Sequence, residues 1–166
     1  LYLMYGLTEA FRSTYLDPDQ VDARPDSIGK AIPNVAIHVI TEAGTEAAPD
    51  EVGELIHRGA CIARGYWNNP ELTAARFRPN PLLPAASREL ETVVYSGDLV
   101  RRDADGFLYF VGRRDDQLKV RGHRLSPTEV EELLLNGDGV REAVVYGAET
   151  EDTGPRVIAL ITADDS

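Results

Sequence analysis

Gly112-Arg113-Arg114-Asp115-Asp116-Gln117-Leu118-Lys119-Val120-Arg121-Gly122-His123-Arg124 is the stretch at which the chain changes character. Ahead of it, from residue 28 to residue 112, short strand signals alternate with turn residues, which indicates a sheet or a distorted barrel. Behind it, a helix followed by two strands indicates a small α+β unit. The expected class is α+β, with residues 1–114 ending in a β-rich subdomain and residues 115–166 starting a smaller domain. Five of the chain's 17 Lys and Arg residues fall within the stretch itself. Positive charge bounded by glycines suits a phosphate or ribose ligand. An exposed hairpin, with Asp115 and Asp116 paired to arginines, explains the same residues.

Upstream, Val35, Ile37 and Val39 alternate with Ala36, His38 and Ile40, the period of a half-buried strand. Glu42-Ala43-Gly44 turns the chain, and residues 52 to 58 return as a second strand. Asn69-Pro70-Glu71 opens a short helix through Phe77, with Asn69 as N-cap and Pro70 at the first helical position. Pro79, Pro81 and Pro84 then predict a loop without regular structure. Thr92 to Arg101, the Asp103–Gly106 turn and Phe107 to Val111 form another hairpin. Downstream, residues 117 to 121 read as a short strand. Ser126-Pro127-Thr128-Glu129 reads as a capping box, and Val130, Leu133 and Leu134 as the apolar stripe of a helix ending at Gly137 or Gly139. Strands at residues 142–146 and 157–162 complete the unit. Leu1-Tyr2-Leu3-Met4-Tyr5 reads as a buried strand already under way, as expected of a segment cut from a longer chain.

The net charge of −11 argues against a protein that covers nucleic-acid phosphates, although it permits one phosphate-bearing ligand. The single cysteine, Cys61, forms no internal disulfide and fits a reducing, cytoplasmic setting. No run reaches the ~18 apolar residues of a membrane helix. His38, His57 and His123 lie too far apart for metal-ligand spacing.

Three segments carry candidate chemistry. In Tyr5-Gly6-Leu7-Thr8-Glu9, a hydroxyl beside a carboxylate at a strand end can share a Mg²⁺–phosphate group. Gly6 permits close backbone approach, and Tyr5 presents a ring on which a base can stack. Taken alone, Thr8 and Glu9 also describe a helix N-cap with a first-turn acid. In Tyr95-Ser96-Gly97-Asp98, the Asp can accept from both ribose hydroxyls; alone it also describes a bulge with a solvated Asp. The third segment is the basic stretch quoted first.

In this order the three segments resemble the adenylate-forming superfamily of AMP-forming acyl-CoA synthetases, peptide-synthetase adenylation domains and luciferases. The ordered set is Tyr-Gly-x-Thr-Glu, Ser-Gly-Asp, then Gly-Arg-x-Asp-x-x-x-Lys-x-x-Gly, and Gly59 to Phe77 is similar to the family's intervening segment. The resemblance implies that Tyr5 stacks on adenine, Thr8 binds phosphate and Glu9 binds Mg²⁺. It implies that Asp98 takes the ribose hydroxyls, with Arg113 reaching ribose or phosphate, and that Gly6 belongs to the nucleotide site. Asp115 falls at the family's hinge, and Lys119 and Gly122 on the face presented for thioester formation. Met4, Arg12 and Ser13 match positions lining the acyl or aminoacyl pocket.

The implied activity uses ATP and Mg²⁺ to turn a carboxylic acid into an acyl-adenylate, yielding AMP once CoA or a carrier-protein phosphopantetheine thiol takes the acyl group. Leu7 is more like acyl-CoA synthetases, whereas Gln117 to Arg124 resembles amino-acid adenylation domains. The alternatives are an adenylation domain of a peptide-synthetase system and a non-catalytic interaction module. Two departures stand out. The family's Pro-Lys-Gly phosphate loop has no counterpart here, and neither of the chain's two lysines, Lys30 and Lys119, lies where the family's C-terminal catalytic lysine does. The 166 residues alone are therefore expected to be inactive.

Overall fold

The computed structural model describes residues 1–116, 118–120, 123–150 and 154–163. They divide into two compact units, Leu1–Phe110 and Val111–Ser166. The class is α+β, rich in strand.

The first unit is built on an eight-stranded sheet. Its strands are β1 (Leu3–Leu7), β2 (Ala10–Leu16), β3 (Ser27–Ala31), β4 (Val35–Ile40), β5 (Val52–Gly59), β6 (Phe77–Pro79), β7 (Thr92–Arg102) and β8 (Leu108–Arg113). The order is β1-β2-β3-β8-β7-β5-β4, with β6 also on β7. Helix α1 (Pro70–Arg76) precedes β6. The Asn69 side chain accepts from the Leu72 N–H at 3.0 Å, so the expected N-cap is present.

Strand β5 lies between β7 and the edge strand β4 and is buried from Gly53 through His57. Its period-two alternation sorts the core onto two faces. Leu55 packs with Ile37, Val39, Val100 and Leu108, while Ile56 packs with Ile40 and Val93. Each such aliphatic side chain contributes about 1.5–3 kcal/mol on full burial.

Four expectations need correction in this unit. The opening strand begins at Leu3, and Leu1 and Tyr2 are 83% and 77% exposed, because β1 pairs only with β2 among the described residues. No helix follows Thr8: the chain turns at Thr8 and Glu9 into β2. That strand escapes a period-two reading because a register shift between Tyr5 and Leu7, and Arg12 at φ +49°, break its alternation. The proline-rich loop holds β6, in which Pro79 ends the strand opposite Thr92, and a 3-10 turn at Ala85–Leu90. Finally, β7 lies between β8 and β5, so Asp98 sits in its bulge buried and not solvated.

In the second unit, β9 (Leu118–Val120) pairs antiparallel with β10 (His123–Leu125), and β11 (Val140–Thr150) with β12 (Gly154–Ala163). Helix α2 (Pro127–Leu135) contacts β11, and the Glu131 carboxylate accepts from the Val145 N–H at 2.7 Å. The expected capping box is not made. Ser126 gives no side-chain cap, and its Oγ instead donates to the Val111 carbonyl at 3.4 Å. The helix stops at Leu135, and Leu133 of the expected apolar stripe is 73% exposed. Among the described residues no helix is long and apolar enough to cross a membrane.

Candidate functional site

The β1–β2 hairpin places Thr8 and Glu9 at its tip. A Cβ on Gly6 would lie 2.4 Å from the Arg12 backbone nitrogen, so the two strands close this tightly only with glycine there. Glu9 is fixed on two sides. Its carbonyl accepts from the Ala63 N–H at 2.8 Å, and its carboxylate Oε1 accepts from the Tyr66 hydroxyl. Burial, followed by that hydrogen bond to Glu9, pushes the Tyr66 phenol up to about 12.

Tyr5, further back along β1, turns its hydroxyl to Asp98 and donates to the carboxylate Oδ2. Asp98 is held by a bulge in β7, where the register against β5 shifts between Glu54 and Ile56. In this bulge the Ser96 Oγ donates to the Leu55 carbonyl at 2.7 Å and accepts from the Asp98 N–H at 3.0 Å. The buried Glu54 carboxylate accepts from the Gly97 N–H at 3.1 Å. These bonds fix the direction of the Asp98 side chain. The first two motifs thus meet in space, at a carboxylate, a group that can accept several hydrogen bonds at once.

On the other face of Tyr5 lies a residue that reads in sequence as an ordinary strand histidine. His57 is fully buried, and its ring stacks on Tyr5 with centroids 6.1 Å apart and planes 17° from parallel. Neither ring nitrogen has a hydrogen-bond partner among the described residues. Burial drops its pKa to about 4, against a smaller opposing pull from Glu9, so the ring is neutral near pH 7. A histidine in an apolar strand carries no local sequence mark of this environment.

A shallow pocket on the hairpin is lined by Met4, Tyr5, Gly6, Leu7, Thr8, Phe11 and Arg12. Met4 and Arg12 therefore line the same pocket. Ser13 is not with them: it is fully buried, and its hydroxyl is unpartnered among the described residues. Arg113, at the end of β8, and Asp115 are exposed and paired to each other at 3.4 Å. Lys119 sits in β9 opposite Arg124. Gly122 lies outside the described residues.

Among the described residues no group of three or more His, Cys, Asp or Glu is placed to hold a metal. The hairpin offers one carboxylate, Glu9, with one oxygen already accepting from Tyr66. That donor set suits Mg²⁺, which takes one or two carboxylates and completes its shell with phosphate oxygens and water.

Residues 1–67 match the family described as AMP-binding enzyme. The chain is 41% identical over 156 residues to tyrocidine synthase 2 of Brevibacillus parabrevis, covering 93% of this chain and 4% of that protein. It superposes on ATP-bound MatB from Rhodopseudomonas palustris with a TM-score of 0.81 at 29% identity, covering 99% of this chain and 30% of that one. Against o-succinylbenzoate CoA synthetase (MenE) of Bacillus subtilis in complex with the acyl-adenylate intermediate OSB-AMP, the TM-score is 0.78 at 28% identity, over 99% and 32%. The chain thus spans a small part of the synthase and about a third of each solved chain. With its fold shared with these structures and its sequence with this synthase, the chain belongs to the adenylate-forming superfamily of AMP-binding enzymes.

Proposed function

We propose that the protein carrying this chain is an ATP-dependent, AMP-forming acid–thiol ligase of the cytoplasm. A carboxylate attacks the α-phosphate of ATP, forming an acyl-adenylate and releasing pyrophosphate. A thiol then takes the acyl group and AMP leaves. The observation that carries this reading is the convergence of Tyr5 and Asp98, from two motifs distant in sequence, at one part-buried hydrogen bond.

In this reading Asp98 accepts from the ribose hydroxyls, and Tyr5, backed by His57, offers its ring to adenine. Thr8 donates to a phosphate oxygen and Glu9 supplies a carboxylate ligand to Mg²⁺, which neutralises phosphate charge when bound. Gly6 keeps the hairpin closed beneath them. Arg113 adds positive charge for ribose or phosphate, Asp115 is the hinge between residues 1–114 and 115–166, and Lys119 and Gly122 serve thioester formation. Met4 and Arg12 belong to the acid's pocket, which the buried Ser13 does not line.

The acceptor is CoA or a carrier-protein phosphopantetheine. Likeness to tyrocidine synthase 2 favours an amino-acid adenylation domain of the peptide-synthetase kind, and likeness to MenE favours a CoA ligase. ATP–pyrophosphate exchange by the full-length protein across a panel of acids, repeated with CoA and with carrier protein, separates these. If the full-length protein binds neither ATP nor AMP by calorimetry, a non-catalytic interaction module takes their place.

A further inference from the structure

Helix α1 has seven residues and buries none of them, so it adds nothing to the hydrophobic core. Its sequence instead builds a bracket. The Asn69 side chain caps the helix at the Leu72 N–H, and the Asn69 carbonyl accepts from the Thr73 hydroxyl at 2.7 Å. Thr73 Oγ1 in turn accepts from the Tyr66 N–H at 2.9 Å. A Cβ on Gly65, which sits at φ +143°, would lie 2.6 Å from Thr73 Cγ2, so glycine is required for the loop to close on the helix. The Tyr66 ring packs edge-on against the buried Phe77, with centroids 5.7 Å apart and planes at 85°. Backbone and ring are both held, and what is held points at Glu9.

The same segment grips the hairpin tip twice more. Ile62 bridges to Ala10, and the Ala63 N–H donates to the Glu9 carbonyl. A glutamate on a hairpin tip has several rotamers, and fixing a long polar side chain costs up to ~2 kcal/mol of rotamer entropy. The Tyr66 hydroxyl removes that freedom before any ligand arrives.

We propose that Tyr66 is a positioning residue for the Glu9 carboxylate. Its phenol donates to one oxygen, orients the group and leaves the other oxygen directed to a divalent cation. This rests on the reading in which Glu9 is the carboxylate ligand of Mg²⁺. The α1 segment is then a support for the metal ligand, built from Gly65, Tyr66, Asn69 and Thr73.

The test uses the full-length protein with Mn²⁺ as a paramagnetic probe, its binding followed by electron paramagnetic resonance in the presence of a non-hydrolysable ATP analogue. Tyr66→Phe keeps the ring on Phe77 and removes only the hydroxyl. It is expected to weaken Mn²⁺ binding roughly 10-fold, the usual scale for losing a group that orients a metal ligand. It is also expected to raise the Mg²⁺ requirement of exchange, with the rate recovered at saturating Mg²⁺. In a Glu9→Gln background, Tyr66→Phe is expected to add no further weakening. Thr73→Val, which removes the acceptor for the Tyr66 N–H, gives a smaller change in the same direction and serves if Tyr66→Phe does not fold. Unchanged Mn²⁺ affinity in these variants, with Glu9→Gln still weakened, overturns the proposal alone. Unchanged affinity in Glu9→Gln overturns the reading of Glu9 beneath it.

Discussion

The Tyr5 hydroxyl donates to the Asp98 carboxylate across 93 residues of sequence, joining the first strand of the sheet to a bulge in the seventh. A tyrosine expected to meet a base and an aspartate expected to meet a ribose already touch each other. The Ser96 and Glu54 bonds keep the bulge from relaxing, so the carboxylate stays where the two motifs meet.

Asp98→Asn is expected to weaken AMP binding by about 10–100-fold, because hydrogen bonds to a charged group contribute about 1.5–3 kcal/mol. Tyr5→Phe keeps the ring stacked on His57 and is expected to cost less. Calorimetry on the full-length protein checks both. Equal losses in the two variants would mean that the hydroxyl, not the carboxylate, carries the affinity.

His57 makes stability depend on pH. Its folded-state pKa, about 4, lies below the ordinary histidine value, so between the two values the unfolded chain binds a proton that the folded one does not. Stability is therefore full above the unfolded value of ~6.5 and falls as pH drops toward 4, by an amount on the order of 3 kcal/mol. In a denaturant series against pH, His57→Leu is expected to flatten that part of the curve. An unchanged slope would show that carboxylates alone set it.

Gly6→Ala places a methyl against the Arg12 backbone, where no flexible side-chain end can yield. The expected cost is about 1–3 kcal/mol, as for other overpacked sites. A lower thermal midpoint, accompanied by weaker nucleotide binding as Thr8 and Glu9 move, is the predicted pair of results. Weaker binding at an unchanged midpoint would contradict the steric argument.

The 166 residues by themselves are expected to give no ATP–pyrophosphate exchange. Their only lysines are Lys30, on β3, and Lys119, on β9, and neither lies where the family places its catalytic lysine. Measurable exchange by these residues alone would overturn this.

Local chemistry was enough to read part of the molecule. Period-two alternation marked β4, the turn after it marked the return of β5, and Asn69 with Pro70 marked the start of α1, because strand faces, turns and helix caps are decided by neighbours a few residues away. The order of three motifs carried the family, since each depends on residue type and spacing alone.

Tertiary structure decided the rest. Strand β2 was invisible because a register shift and the left-handed Arg12 break its alternation. The capping box at Ser126 was plausible by spacing and unmade in fact, because its hydroxyl meets the Val111 carbonyl instead. The Tyr5–Asp98 bond, the stacking of His57 on Tyr5 and the reach of Tyr66 to Glu9 all depend on antiparallel register and loop closure between distant segments. Register is a property of paired strands, and the burial of position 57 follows from which strands flank it. Neither is written in any local window, so candidate residues could be proposed from sequence while their contacts could not.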